Sequence, residues 1–114
     1  MKRLTLALAS ALGLLVACAH ARPLEADAAK VDSPIRAAEE LGASNVPKAA
    51  LHIQYAKDQF ARAKQLEKEG DKRRSDMLLM RAQADAELAL ALTRDARTQN
   101  EVRALLDDMN TANP

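Results

Sequence analysis

Tryptophan is missing from this sequence of 114 residues, Tyr55 and Phe60 are its only aromatic side chains, and it holds three glycines, four prolines and one cysteine. β-Sheets draw heavily on aromatic residues, so an aromatic share of 2% argues against a sandwich or a barrel. Three scattered glycines leave no Gly-rich loop to cradle a phosphate. The length fits one small domain and rules out a multidomain enzyme. An excess of charge of one sign is lacking too: 17 Lys and Arg face 16 Asp and Glu, and without Lys2 and Arg3 the balance is 15 to 16. No electrostatic footprint for DNA or RNA is present. What is abundant is alanine among helix-favouring charged residues, with 48% of the chain hydrophobic and 29% charged. The expected fold class is all-α, an antiparallel helical hairpin or a small three-helix bundle with an Ala-rich interface.

Long hydrophobic runs are scarce, and the one that exists comes first. Lys2 and Arg3 precede an uncharged apolar run of fourteen residues, Leu4 to Ala17, followed by small residues, the three-part layout of a secretory signal. As a helix the run covers about 21 Å, short of the roughly 30 Å hydrocarbon core of a membrane. Its end, Leu15-Val16-Ala17-Cys18, resembles the lipobox of bacterial lipoproteins. The resemblance implies cleavage before Cys18, a diacylglycerol and an N-acyl chain on that residue, and residues 1–17 as a lipoprotein signal peptide. More than one acyl chain, at about 0.8 kcal/mol per buried CH₂, anchors stably where a single chain is marginal. Ala19 rather than Asp follows the cysteine, which in Gram-negative lipoproteins implies export to the outer membrane, here its periplasmic face. Ala19-His20-Ala21 offers a second reading, an A-x-A site for ordinary signal peptidase that releases a soluble chain starting at Arg22. With Cys18 lipidated no intramolecular disulfide is available, and the domain must hold itself by packing.

Residues 18–33 mix Ala, Pro and charges without clear periodicity and read as a tether with room for partial helix, with residues 34–109 as the helical domain and 110–114 as a tail. Ser33-Pro34 predicts a helix start, and a short helix is expected from Ile35 to Leu41. Gly42 suits the left-handed position that closes it, and Pro47 opens a second helix running to about Glu69. There Ala49, Ile53, Ala56, Phe60 and Ala63 repeat at intervals of 4, 3, 4 and 3, a heptad-like seam that Leu66 roughly extends. The polar stretch Glu67 to Arg74 predicts a hairpin turn, with Gly70 closing one helix and Asp71 capping the next; one uninterrupted helix is the alternative, since a lone Gly costs only about 1 kcal/mol in a helix interior. From Lys72 to about Met109 neither Gly nor Pro occurs, and two apolar faces emerge. One is Leu79, Ala82, Ala86, Ala89, Thr93 and Ala96; the other is Leu88, Leu92, Val102, Leu106 and Met109. A helix apolar on two faces needs two partners, one the preceding helix and the other the first helix, a second subunit or the envelope. Alanine removes little apolar surface from water, so modest monomer stability and a gain from association are expected.

Taken together, Ala56, Phe60, Ala63, Gly70-Asp71, Ala82, Asp85-Ala86 and Leu88-Ala89 resemble the alanine pattern of an uncharacterised bacterial helical-hairpin family, over about residues 34 to 97. Members of that family are small envelope lipoproteins, some with an OmpA-like peptidoglycan-binding domain after the helices. This sequence has no counterpart of that domain, so its binding activity does not carry over. The pattern also looks like half of a tetratricopeptide repeat, although a solenoid needs about three repeats. In size and address the chain is similar to murein lipoproteins, but it has Asn113 and Pro114 where they have a C-terminal lysine.

Little chemistry is on offer elsewhere. His20 and His52 stand far apart without a second cysteine, so the usual zinc spacings are missing, and His52 reads as a surface helix residue. The pairs Glu39-Glu40 and Asp107-Asp108 are adjacent on a helix, where side chains diverge by about 100° and share no site. No nucleophile elbow, P-loop, zinc-protease or nucleotide motif occurs. Lys68, Lys72, Arg73 and Arg74 gather at the hairpin tip and could meet an anionic glycan, a headgroup or an acidic partner, with Glu67, Glu69, Asp71 and Asp76 opposing them. Asp58 with Arg62 and Arg97 with Glu101 are spaced as helix-supporting ion pairs. The expectation is therefore a non-catalytic outer-membrane lipoprotein without metal or small-molecule cofactor. It is expected to act as a structural or interaction element toward an envelope protein or a second copy; the alternative is a soluble periplasmic binding or chaperone-like module.

Overall fold

The computed structural model describes residues 24–112, and its described part is all-α. Helix α1 spans Leu24–Glu40, a single 3₁₀ turn covers Ala43–Asn45, and helices α2 and α3 span Pro47–Lys68 and Lys72–Ala112. Helices α2 and α3 form the antiparallel hairpin that the polar Glu67–Arg74 stretch predicts. Its turn is built from backbone bonds: the Gly70 N–H donates to the Glu67 carbonyl and the Asp71 N–H to the Leu66 carbonyl, at 3.0 and 2.9 Å. This double closure needs a left-handed residue, and Gly70 takes φ +84°. The Asp71 carboxylate then accepts the Arg74 backbone N–H at 3.1 Å and caps α3.

The α2 seam is where its spacing puts it: Ala49, Ile53, Ala56, Phe60 and Ala63 are all buried. Facing them on α3 are Ser75, Leu79, Ala82, Ala86, Ala89 and Thr93, again at intervals of 4 and 3. The Ser75 hydroxyl donates to the Ala63 carbonyl at 2.9 Å across the hairpin, and the Thr93 hydroxyl donates to the Ala89 carbonyl within α3 at 2.8 Å. Both buried hydroxyls are thereby satisfied, so neither carries the penalty of an unpaired polar group.

The first helix departs from expectation. Residues 24–33 are not tether but the first part of α1, Pro34 lies inside the helix instead of at its start, and Leu41 lies beyond its end. The cause is a seam that crosses the proline. Ala28, Val31, Ile35 and Ala38 follow at 3, 4 and 3, with Val31, Ile35 and Ala38 buried and Ala28 packed against them. Burying Val31 and Ile35 on either side of Pro34 outweighs its missing hydrogen bond to the preceding turn. Helix α1 packs mainly on α3 and secondarily on α2, and the Lys57 ammonium donates to the Glu39 carboxylate at 2.8 Å between them. Gly42, at φ +90°, ends this layer as expected. At the other end, residues 110–112 belong to α3 rather than to a tail.

Candidate interaction site

Helix α3, with 41 residues, is nearly twice as long as α2, with 22, and the difference defines the most distinctive surface. Its packed face ends at Thr93 with Ala96 half-buried, and every residue from Arg97 to Ala112 is exposed. At 1.5 Å per residue this exposed stretch is about 24 Å long; Arg97, Asn100, Glu101 and Ala104 on its first two turns border an open cleft with Leu41, Gly42 and Val46, and the rest projects beyond the bundle. Val102, Leu105, Leu106 and Met109 lie on this projection, between half and two-thirds exposed. Of the two faces expected on this helix, the first is thus covered by α2 and α1, while most of the second is bare: Leu88, Val102, Leu106 and Met109 are exposed and only Leu92 is partly packed on the core. The projecting helix is braced along itself by Arg97 with Glu101 and by Gln99 with Asp95, both at 2.9 Å.

The hairpin tip carries the four expected cations, all of them exposed. They do not act as one group, because the Arg74 guanidinium is held by the Asp71 carboxylate, leaving Lys68, Lys72 and Arg73. The Asp71 carboxyl is held below its ordinary range, first by the Arg74 backbone N–H and then by the Arg74 side chain. At this turn acid and base serve the cap. Asp58 and Arg62 form no ion pair; both line, with Arg74 and Arg81, an open groove of about 460 Å³ between α2 and α3, above Leu66, Met77 and Leu78.

One polar cluster escaped the sequence reading. His52 is half-buried rather than a free surface residue: its Nδ1 lies 2.7 Å from Asp85 Oδ1, and Gln59 Nε2 donates to Asp85 Oδ2 at 2.7 Å. Residues 52 and 59 are seven apart, two turns along one side of α2, which was the available signal; their partner follows only from the hairpin register. The cluster pins α2 to α3 at mid-length. Among the described residues no three His, Cys, Asp or Glu side chains converge as a metal site would require, and no helix is long and apolar enough to cross a membrane. Leu15, Val16, Ala17 and Cys18, the residues of the lipobox, lie outside the described residues. No family model, curated protein or solved structure matches the chain.

Proposed function

We propose that the chain is an outer-membrane lipoprotein, anchored through diacylglycerol and N-acyl chains on Cys18, whose helices serve as a non-catalytic structural or protein-interaction element in the periplasm. The observation that carries this reading is Leu15-Val16-Ala17-Cys18 closing an uncharged apolar run behind Lys2 and Arg3. The resemblance to the alanine-patterned envelope lipoproteins supports the address, and the bare face of the projecting helix supports an interaction role. The experiment is intact mass spectrometry of the protein purified from membranes, beside a Cys18→Ala variant. A chain starting at Cys18 and carrying three acyl chains is expected, with the variant leaving the membrane fraction or retaining its signal. A mature chain starting at Arg22 would overturn the anchor and install the second reading, a soluble periplasmic module released after Ala21, which the Ala19-His20-Ala21 sequence favours.

A further inference from the structure

We infer that the hairpin turn is the membrane-facing end of the bundle, with Lys68, Lys72 and Arg73 on the phosphates of a phospholipid surface and the bare end of α3 held away from it. The inference rests on the Cys18 anchor proposed above and gives that anchor a direction.

The direction follows from where α1 begins. Helix α1 packs mainly on α3, and because every residue from Arg97 to Ala112 is exposed, it runs beside the packed part of that helix. Leu41 and Gly42, just past its end, border Pro47, Thr93 and Ala96, at the end of the bundle opposite the turn. Helix α1 is therefore antiparallel to α2, and its start lies toward the turn. The Lys57–Glu39 contact sets the level: the last turn of α1 lies beside the middle of α2, and Leu24, fifteen residues earlier, is about 22 Å nearer the turn. From Lys57 to Lys68 helix α2 covers about 16 Å, so, with the reach of the two side chains allowed for, α1 starts close to the level of the turn. Leu24 is six residues after Cys18, and six residues span at most about 20 Å in any conformation. A lipid on Cys18 thus keeps the turn near the membrane surface, whereas Ala112 lies forty helical residues beyond Lys72, about 60 Å away.

Reach alone would also let the bundle lie flat on the surface, and charge favours standing. Lys68, Lys72 and Arg73 are exposed and form no ion pair among the described residues. Over residues 62–76 six Lys and Arg face four Asp and Glu, whereas over residues 97–112 two face three. With Glu25, Asp27 and Lys30 at the start of α1 counted as well, the turn end keeps one positive charge and the far end one negative. An anionic surface attracts the first end and repels the second. A helix that lies on such a surface carries a basic polar face, and Asp107 and Asp108 give the far end of α3 the opposite sign. The excess at the turn is small, so its contact with phosphate depends on the anchor holding it near the lipid.

The test uses the full chain purified from membranes and reconstituted in vesicles of phosphatidylethanolamine and phosphatidylglycerol. Met80 and Met109 are both exposed and lie about 43 Å apart along α3. With Cys18 acylated, Met80→Cys or Met109→Cys supplies the only free thiol. Circular dichroism verifies that neither change alters helix content. Energy transfer from a donor on that thiol to acceptors on the lipid headgroups should be severalfold greater from position 80 than from position 109. Lys68→Glu with Lys72→Glu and Arg73→Glu should narrow the difference about twofold, as should omission of phosphatidylglycerol. Equal transfer from the two positions would show a bundle lying flat, and greater transfer from position 109 a bundle standing on its other end. Either result, or a difference that survives the three substitutions unchanged, overturns the inference and leaves the anchor in place. A chain that does not stay with the vesicles would overturn the anchor itself, and the inference with it.

Discussion

Eight of the thirteen buried apolar side chains among the described residues are alanines. A methyl group gives helix backbones a close approach but withdraws little area from water, at roughly 25 cal/mol per Å². The larger contributions come from Val31, Ile35, Ile53, Phe60 and Leu79, one or two to each helix, so specificity at the interface falls partly to single polar contacts. The Ser75 hydroxyl on the Ala63 carbonyl is one of them across the hairpin; at the start of α3 the local polar contact is that of Asp71. Its carboxyl is held below its ordinary value of 3.8 by the Arg74 backbone N–H and guanidinium, so folding favours the charged form. A lowered pKa supplies stability above the unfolded value, and that stability is lost as pH falls through the folded one. The Arg74 amide should therefore lose its cap bond in acid, below the ordinary carboxylate range. An NMR titration of the Arg74 amide proton should show this as a shift that Asp71→Asn abolishes; an unchanged titration in the variant would mean that other carboxylates govern the turn.

At the level of elements, α2 and the hairpin turn were legible in the sequence because local and tertiary signals coincide there. The seam from Ala49 to Ala63 sits between Pro47 and Gly70, each at the helix boundary its chemistry favours. In α1 the signals conflict. Ser33-Pro34 has the chemistry of a helix start, while Ala28, Val31, Ile35 and Ala38 repeat straight through it, and tertiary burial wins. The His52–Gln59–Asp85 cluster was illegible for another reason: nothing local says which turn of α3 comes opposite His52. A proline kept inside α1 is also a removable cost. An interior proline disfavours a helix by about 3 kcal/mol relative to alanine, offset by up to about 1 kcal/mol because proline also restricts the unfolded chain. Pro34→Ala should raise the unfolding free energy by about 1–2 kcal/mol in urea denaturation. A destabilised variant would mean that the half-buried ring contributes more by packing than the missing hydrogen bond costs.

For the molecule as a whole, the division that matters is between a packed body, ending near Ala96, and a helix that leaves it. A free peptide of the projecting length is at the margin of helicity in water, because nucleation is unfavourable and few bonds follow to repay it. Here the nucleus is supplied by the packed part of α3, so the extension needs only propagation, supported by the Arg97–Glu101 and Gln99–Asp95 contacts. Its opening should still be nearly independent of the body, since residues 97–112 are all exposed and only Arg97, Asn100, Glu101 and Ala104 border the Leu41–Pro47 connection. Removing residues 98–114 should accordingly leave the urea midpoint of the body within about 0.5 kcal/mol, the range of changes that touch no packed group, while lowering total helix content. In the full chain, hydrogen exchange should be fast from Thr98 onward and slow from Leu79 to Thr93. If truncation instead destabilised the body by several kcal/mol, the extension would be part of the folding unit rather than a surface carried by it. Its apolar residues would then owe their place to the fold and not to a partner.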